Sequence, residues 1–237
     1  MRKHRVLRFL LGVSLLPLCF AATLAVLEAI NSANSSSSMF SRETIALFSG
    51  YAVWLAVWFF LPRPAKSYIL AHELTHAISG LFFGAKVSNL NISAKGGSVS
   101  LSKTNLWIIL SPYFIPFYTI LLIAVYLLIG VFIHPVPYKA LWIFLVGFTW
   151  SFHACFTLNS LLIRQPDIQM YGRIFSYAII YFLNLLLVAL WMIYTTPVSA
   201  GGFYDSLAAN TISIYALLYE QTQRVVNKAV SLLRHAL

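Results

Sequence analysis

Long apolar runs separated by short polar stretches dominate this chain. A basic start, Met1 to Arg8, leads into an apolar run from Phe9 to about Ile30. Further runs cover Glu43 to Leu61, Asn105 to Ile133, Tyr138 to Ile163 and Gly172 to Thr195, the second of them expected to begin with a kinked turn at Pro112 and Pro116 before it spans. Such runs match the length of about 20 residues that crosses a bilayer core as a helix. Ser206 to Tyr219 reads as a last, weaker span, and Glu220 to Leu237 as a polar-to-basic helical tail lying on the membrane surface. Another helix is predicted from Ala65 to about Phe83. Pro62-Arg63-Pro64 ends the helix before it, and Gly84 stops it. Ala85 to Thr104 breaks the apolar pattern. Val87, Leu90, Ile92, Val99 and Leu101 alternate with Ser, Asn and Lys around a central Gly96-Gly97, which reads as a β-hairpin. Open strands cannot face lipid, so the hairpin belongs at the surface or against protein. Asn31 to Ser41, His134 to Pro137 and Thr196 to Asp205 read as loops or turns. The predicted fold is an all-α polytopic membrane protein of about six membrane helices, with a small β-hairpin inserted after the helix from Ala65.

Composition sharpens this picture. Of the 237 residues, 60% are hydrophobic and 9% charged, against about 25% charged in soluble domains. So few charges cannot cover a water-facing surface. The net charge of +10 does not point to nucleic acid, because the charges sit at the ends of apolar runs. With the N-terminus in the cytoplasm, 14 of the 16 Lys and Arg fall on the cytoplasmic side, leaving Arg42 and Lys139 outside. The positive-inside rule favours that orientation, with both termini cytoplasmic. The first run is longer than the apolar part of a signal peptide, and it reads as a retained anchor. Cys19 and Cys155 lie inside apolar segments and read as small buried hydrophobes. Three regions are expected: residues 1–42 as anchor and loop, 43–195 as a core, and 196–237 as the last weak span and tail.

The helix from Ala65 carries His72-Glu73-Leu74-Thr75-His76. Histidines four apart share one helix face, so both imidazoles can reach one metal ion at about 2.0–2.1 Å. Glu73 is offset from both and can serve as a base beside a water that zinc makes acidic. The six histidines and four glutamates of this chain would produce this spacing by chance in only about 0.003 chains of its length. A glutamate in an apolar helix is also costly, and a metal partner offsets that cost.

A catalytic zinc takes a third protein ligand, and the chain offers few. Glu28, Glu43 and Asp205 fall on the outer side, and Glu220 opens the tail. Asp167 stands at the cytoplasmic end of a span, at the depth expected for the histidines. It could instead cap the helix that follows. His153 lies 14 residues before Asp167, about 21 Å along a continuous helix. It reads as a bundle histidine held by a hydrogen bond. Asn159 and Asn184 lie within spans. They could hold an unwound substrate backbone, or they could be hydrogen-bond donors between helices.

The HExxH motif on a membrane helix, the Gly-Gly hairpin after it, a proline-containing span and then Gln165-Pro166-Asp167-Ile168 two spans on resemble the site-2 protease family of intramembrane zinc metalloproteases. The likeness runs from about Ser67 to Leu190 and is to a minimal core without a PDZ or CBS domain. It implies one zinc per chain held by His72, His76 and Asp167, with Glu73 as catalytic base. It also implies a hairpin, including Gly96 and Gly97, that helps present a membrane-spanning or membrane-adjacent polypeptide. The family's motif is Asn-Pro-Asp-Gly, so Gln165 and Ile168 depart from it. The expected setting is a bacterial inner membrane, with the lipid bilayer and a protein or peptide substrate as partners. A non-proteolytic zinc-containing scaffold of the same fold and a transporter are the competing readings. A zinc protease using Glu220 as third ligand is a further one.

Overall fold

A computed structural model describes residues 2–35, 41–93, 96–134 and 137–236. Nine helices and a two-stranded antiparallel sheet follow one another among them: α1 Arg2–Ser35, α2 Arg42–Phe60, α3 Ala65–Phe82, β1 Val87–Ser93, β2 Gly96–Leu101, α4 Leu106–Leu110, α5 Phe117–Phe132, α6 Lys139–Leu162, α7 Pro166–Tyr171, α8 Arg173–Thr195 and α9 Ala200–Ala236. The helices α2, α6, α8 and the stretch 5–33 of α1 are long and apolar enough to cross a membrane. A fifth span forms if the segment Leu106–Tyr113 and α5 count as one, bent by 84° at the break between them. The expected run from Asn105 to Ile133 is thus two helical pieces. Pro112 and Pro116 interrupt the hydrogen-bond ladder there, and a 3-10 turn, Ser111–Tyr113, fills the corner.

Three boundaries differ from the sequence pattern. The first helix runs on through Ser35, so Asn31 to Ser35 is helical; 36–40 lies outside the described residues. The expected loop to Asp205 is shorter, because α9 starts at Ala200 and continues unbroken through the predicted tail. The helix α9 does not reach the apolarity of the other spans, because polar residues such as Ser206, Asn210 and Thr211 recur along its first turns. Finally, the span expected from Gly172 is preceded by the separate short helix α7. Gly172 has φ +91°, a value open to glycine, and it turns the chain between α7 and α8.

Helix packing divides into two seams. A methyl group on Gly50 of α2 would lie 1.9 Å from the Phe144 carbonyl oxygen of α6, and one on Gly147 of α6 would lie 2.0 Å from that of Leu47. The two backbones touch through reciprocal glycines, the close approach favoured where lipid offers no hydrophobic drive. Trp54, Phe152, Phe156 and Cys155 fill the space beside that seam. The second seam joins α1 to α8 and α9 through Ala25, Ala29 and Ala33 of α1, with Ala189, Met192 and Phe203. Glu28 of α1 accepts hydrogen bonds there from α9, from the Ser206 hydroxyl and from the Asn210 amide, the latter at 3.1 Å. Between the seams, Ile109, Leu110, Tyr113, Ile168 and Ile180 form a buried cluster. This cluster ties α4, the 3-10 turn, α7 and α8 together and faces α3.

Candidate metal centre

The helix α3 serves two neighbours at once. Residues advance about 100° per step around a helix, so Ile69, Glu73 and Gly80 line one side. The strand β2 lies along that side. A methyl group on Gly97 would fall 2.6 Å from both Glu73 Cγ and Ile69 Cγ2, and one on Gly80 would fall 2.9 Å from Leu101 Cδ2. His72, His76 and Ser79 line the adjoining side, which faces α4, the 3-10 turn and α7. The Ser79 hydroxyl donates to Ser111 Oγ at 3.0 Å and anchors the turn to α3.

Asp167 comes from the first turn of α7, just after Pro166 at the helix start. A proline there loses no hydrogen bond and presets the helical φ, so Asp167 leaves the helix at a fixed angle. Its Oδ2 lies 3.4 Å from His72 Nε2 and 3.4 Å from His76 Nε2. The three donor atoms all fall within 4.8 Å of one another. That spacing admits two readings. A good N–H···O hydrogen bond is about 2.7–3.2 Å long. Donors held at about 2.0–2.1 Å around a tetrahedral ion stand about 3.3–3.4 Å apart. The observed 3.4 Å is compatible with the edge of a coordination tetrahedron and with a long hydrogen bond. The group His72, His76 and Asp167 could therefore hold a metal ion. The donor set is two imidazoles and one carboxylate.

The surroundings orient the donors. His76 Nδ1–H donates to the Ile108 carbonyl at 2.8 Å, which fixes the tautomer and leaves the Nε2 lone pair facing Asp167. The Tyr113 hydroxyl, fully buried, donates to Asp167 Oδ2 at 3.1 Å. The Tyr68 hydroxyl lies 2.9 Å from Ser160 Oγ and 3.4 Å from His72 Nδ1. Burial pushes the Asp167 carboxyl up, but the facing His72 and His76 imidazoles outweigh it and hold the group below the usual carboxylate range. It is ionised at neutral pH, as a metal ligand must be.

Glu73 is 8% exposed and close enough to interact electrostatically with His72, His76 and Asp167. It shares their site without belonging to the donor group. Gly96 and Gly97 belong to β2 and not to the turn itself: Ser93 pairs with Gly96, and Ile92 with Gly97. Asn184 sits on α8, where its amide donates to the Tyr113 carbonyl at 3.0 Å and the Ile180 carbonyl at 2.8 Å. It braces the 3-10 turn and has spent its donor capacity on the protein. Asn159 is half-buried near the end of α6, one residue before Ser160. His153 is not part of the donor group. It is buried, and its Nε2 has no hydrogen-bond partner, contrary to the expectation of a bonded bundle histidine. It adjoins a cavity of ≈ 10 Å³ shared with His72, Thr75 and Thr149, about the room of one water.

Sequence reasoning missed Tyr113, Tyr68 and the Ile108 carbonyl. Tyr68 was within reach, since it lies one turn before His72 on the same helix. The other two come from the broken segment after Asn105, whose path depends on packing. Pro112 marks the break, and non-helical backbone at membrane depth must be buried in protein. Compared with known proteins, the chain matches no protein-family model, no curated protein and no solved structure.

Proposed function

We propose that this chain is an intramembrane zinc metalloprotease of the site-2 protease kind. Its substrates are membrane-spanning or membrane-adjacent polypeptides, cut near the cytoplasmic face. The observation that carries the reading is the meeting of the His72, His76 and Asp167 donors, from elements 95 residues apart in sequence, beside the one buried glutamate among the described residues. A zinc ion held there would supply a Lewis acid that makes water acidic enough to ionise at about pH 7. His72, His76 and Asp167 would hold the ion, while Tyr113 and the Ile108 carbonyl keep Asp167 and His76 aligned. Glu73 takes the proton of the attacking water and hands it to the leaving amine nitrogen. The hairpin gives this site a place for substrate. The β2 backbone at Gly97 runs against Glu73, and a two-stranded sheet has free edges that an extended peptide can join. A helical substrate has its amides shielded, so pairing with a strand edge also favours the unwound form that can be cut. The cytoplasmic placement rests on the distribution of Lys and Arg.

Glu73→Gln tests the role of the base. The substitution keeps the shape of the side chain and removes its basicity. Zinc should stay bound while cleavage of a membrane substrate in proteoliposomes is abolished. Undiminished cleavage by the variant would remove Glu73 from the mechanism.

A further inference from the structure

The Asp167-bearing turn has a second face, and it is strongly basic. Arg5 and Arg8 of α1 and Arg173 of α8 line one cavity of ≈ 680 Å³ together with Gln169, Tyr171 and Gly172. The Arg8 guanidinium donates to the Met170 carbonyl and lies over the Tyr171 ring, 5.0 Å from its centroid. The geometry depends on Gly12, one turn beyond Arg8. A methyl group there would lie 2.6 Å from the Phe175 backbone nitrogen, so only glycine lets α1 lie flat against the start of α8. No described carboxylate pairs with any of the three arginines. Three like charges around one cavity repel, and the arrangement gains most from an incoming anion. Gly172 supplies no side-chain cap to α8, so the positive end of that 23-residue helix adds to the same field.

The depth of the cavity narrows the ligand. The apolar stretch of α1 begins at Arg5 and that of α8 at Arg173. The arginines therefore stand where two spans leave the hydrocarbon, at the level of lipid headgroups. Guanidinium groups pair with phosphate oxygens in a bidentate fork, and basic pockets between membrane helices suit anionic headgroups. We propose that Arg5, Arg8 and Arg173 form a binding site for an anionic phosphate group, at the joint between α1, α7 and α8. Because Arg8 grips the carbonyl of Met170, three residues after Asp167, an occupant would also steady the turn that carries Asp167. Binding itself does not depend on a metal.

The test uses the purified full chain in a neutral maltoside detergent, with bound lipid counted by native mass spectrometry. Phosphatidylglycerol should bind about tenfold or more tightly than phosphatidylcholine. The double variant Arg8→Gln/Arg173→Gln should lose that preference. Arg224→Gln/Lys228→Gln, an equal loss of charge on the exposed part of α9, should keep it. Arg5→Gln, in the exposed first turns of α1, should weaken phosphatidylglycerol binding even if the double variant does not fold. Displacement by millimolar inorganic phosphate would identify the ligand as a soluble phosphate; binding that resists it would identify a lipid headgroup. Wild-type affinity in the Arg5 and Arg8/Arg173 variants, an equal loss in the α9 variant, or no preference over phosphatidylcholine would overturn the proposal.

Discussion

Gly97→Ala probes the contact between the hairpin and Glu73, the proposed base. The added methyl would stand 2.6 Å from Glu73 Cγ, 2.6 Å from Ile69 Cγ2 and 2.9 Å from Glu73 Oε1. Relaxed carbon contacts begin at about 3.5 Å, so about 0.9 Å must be found against two side chains at once. Those side chains stand one turn apart on α3, and the methyl is caught between them. The strand must lift or the Glu73 carboxylate must swing aside. Overpacking of this kind costs about 1–3 kcal/mol, which the fold can absorb. A shift of about 1 Å in a reacting group costs about 10²-fold in rate. His72 and His76 line the adjoining side of α3 and Asp167 comes from α7, away from the atoms the methyl meets first, so the metal should be retained. The assay pairs elemental analysis for zinc with the initial rate of cleavage of a reconstituted membrane substrate. The expected result is full zinc content with a rate reduced about 100-fold, while Ser98→Ala, one residue on, cleaves normally. A Gly97→Ala protein that cleaves at the wild-type rate would refute the contact's role. Loss of zinc along with activity would show that the hairpin supports the donors instead.

Other outcomes follow from the same geometry. Tyr113→Phe removes the hydroxyl that donates to Asp167 and should weaken zinc affinity about 10–100-fold, measured by competition with a chelator. Acidification should release zinc, because each histidine must be unprotonated to bind it. Asp167 is held below the usual carboxylate range, so the loss as pH falls below neutrality should come before that carboxylate takes up a proton. Equilibrium dialysis across that pH range reads this directly. Gly147→Val places a branched side chain where even one methyl would sit 2.0 Å from the Leu47 carbonyl. It should prevent α2 and α6 from pairing, leaving little folded protein in detergent extracts.

Much of the site was legible along the chain, and the reasons are local. His72 and His76 are one turn apart on a continuous helix, so their common face follows from helical geometry alone. Asp167 was reachable by scarcity, since a chain with six acidic residues offers few third donors. The supports were not legible. Tyr113 and the Ile108 carbonyl reach the donors only because the chain breaks at Pro112 and turns back under α3. Gly97 carried a turn signal in the sequence, yet its work is to let a strand lie against Glu73. That need depends on a contact with a residue 24 positions earlier. Asn184 could have served a substrate or a neighbouring helix on its sequence alone; its two carbonyl partners assign it to the helix. In α9 the apolar residues suggested a short weak span, while the structure forms one long helix whose polar residues meet Glu28 and then continue into the tail.

Metal content measured with the third donor altered is the most direct test of the central claim. Wild-type protein, purified without chelators and examined by elemental analysis and zinc X-ray absorption, should carry one zinc per chain with two imidazoles and one carboxylate as protein donors. Asp167→Ala should lose most of that zinc, while Glu220→Ala and Glu73→Gln should keep it. Absence of stoichiometric zinc from the wild type, or full zinc retention in Asp167→Ala, would contradict the metal centre on which the proposed chemistry depends.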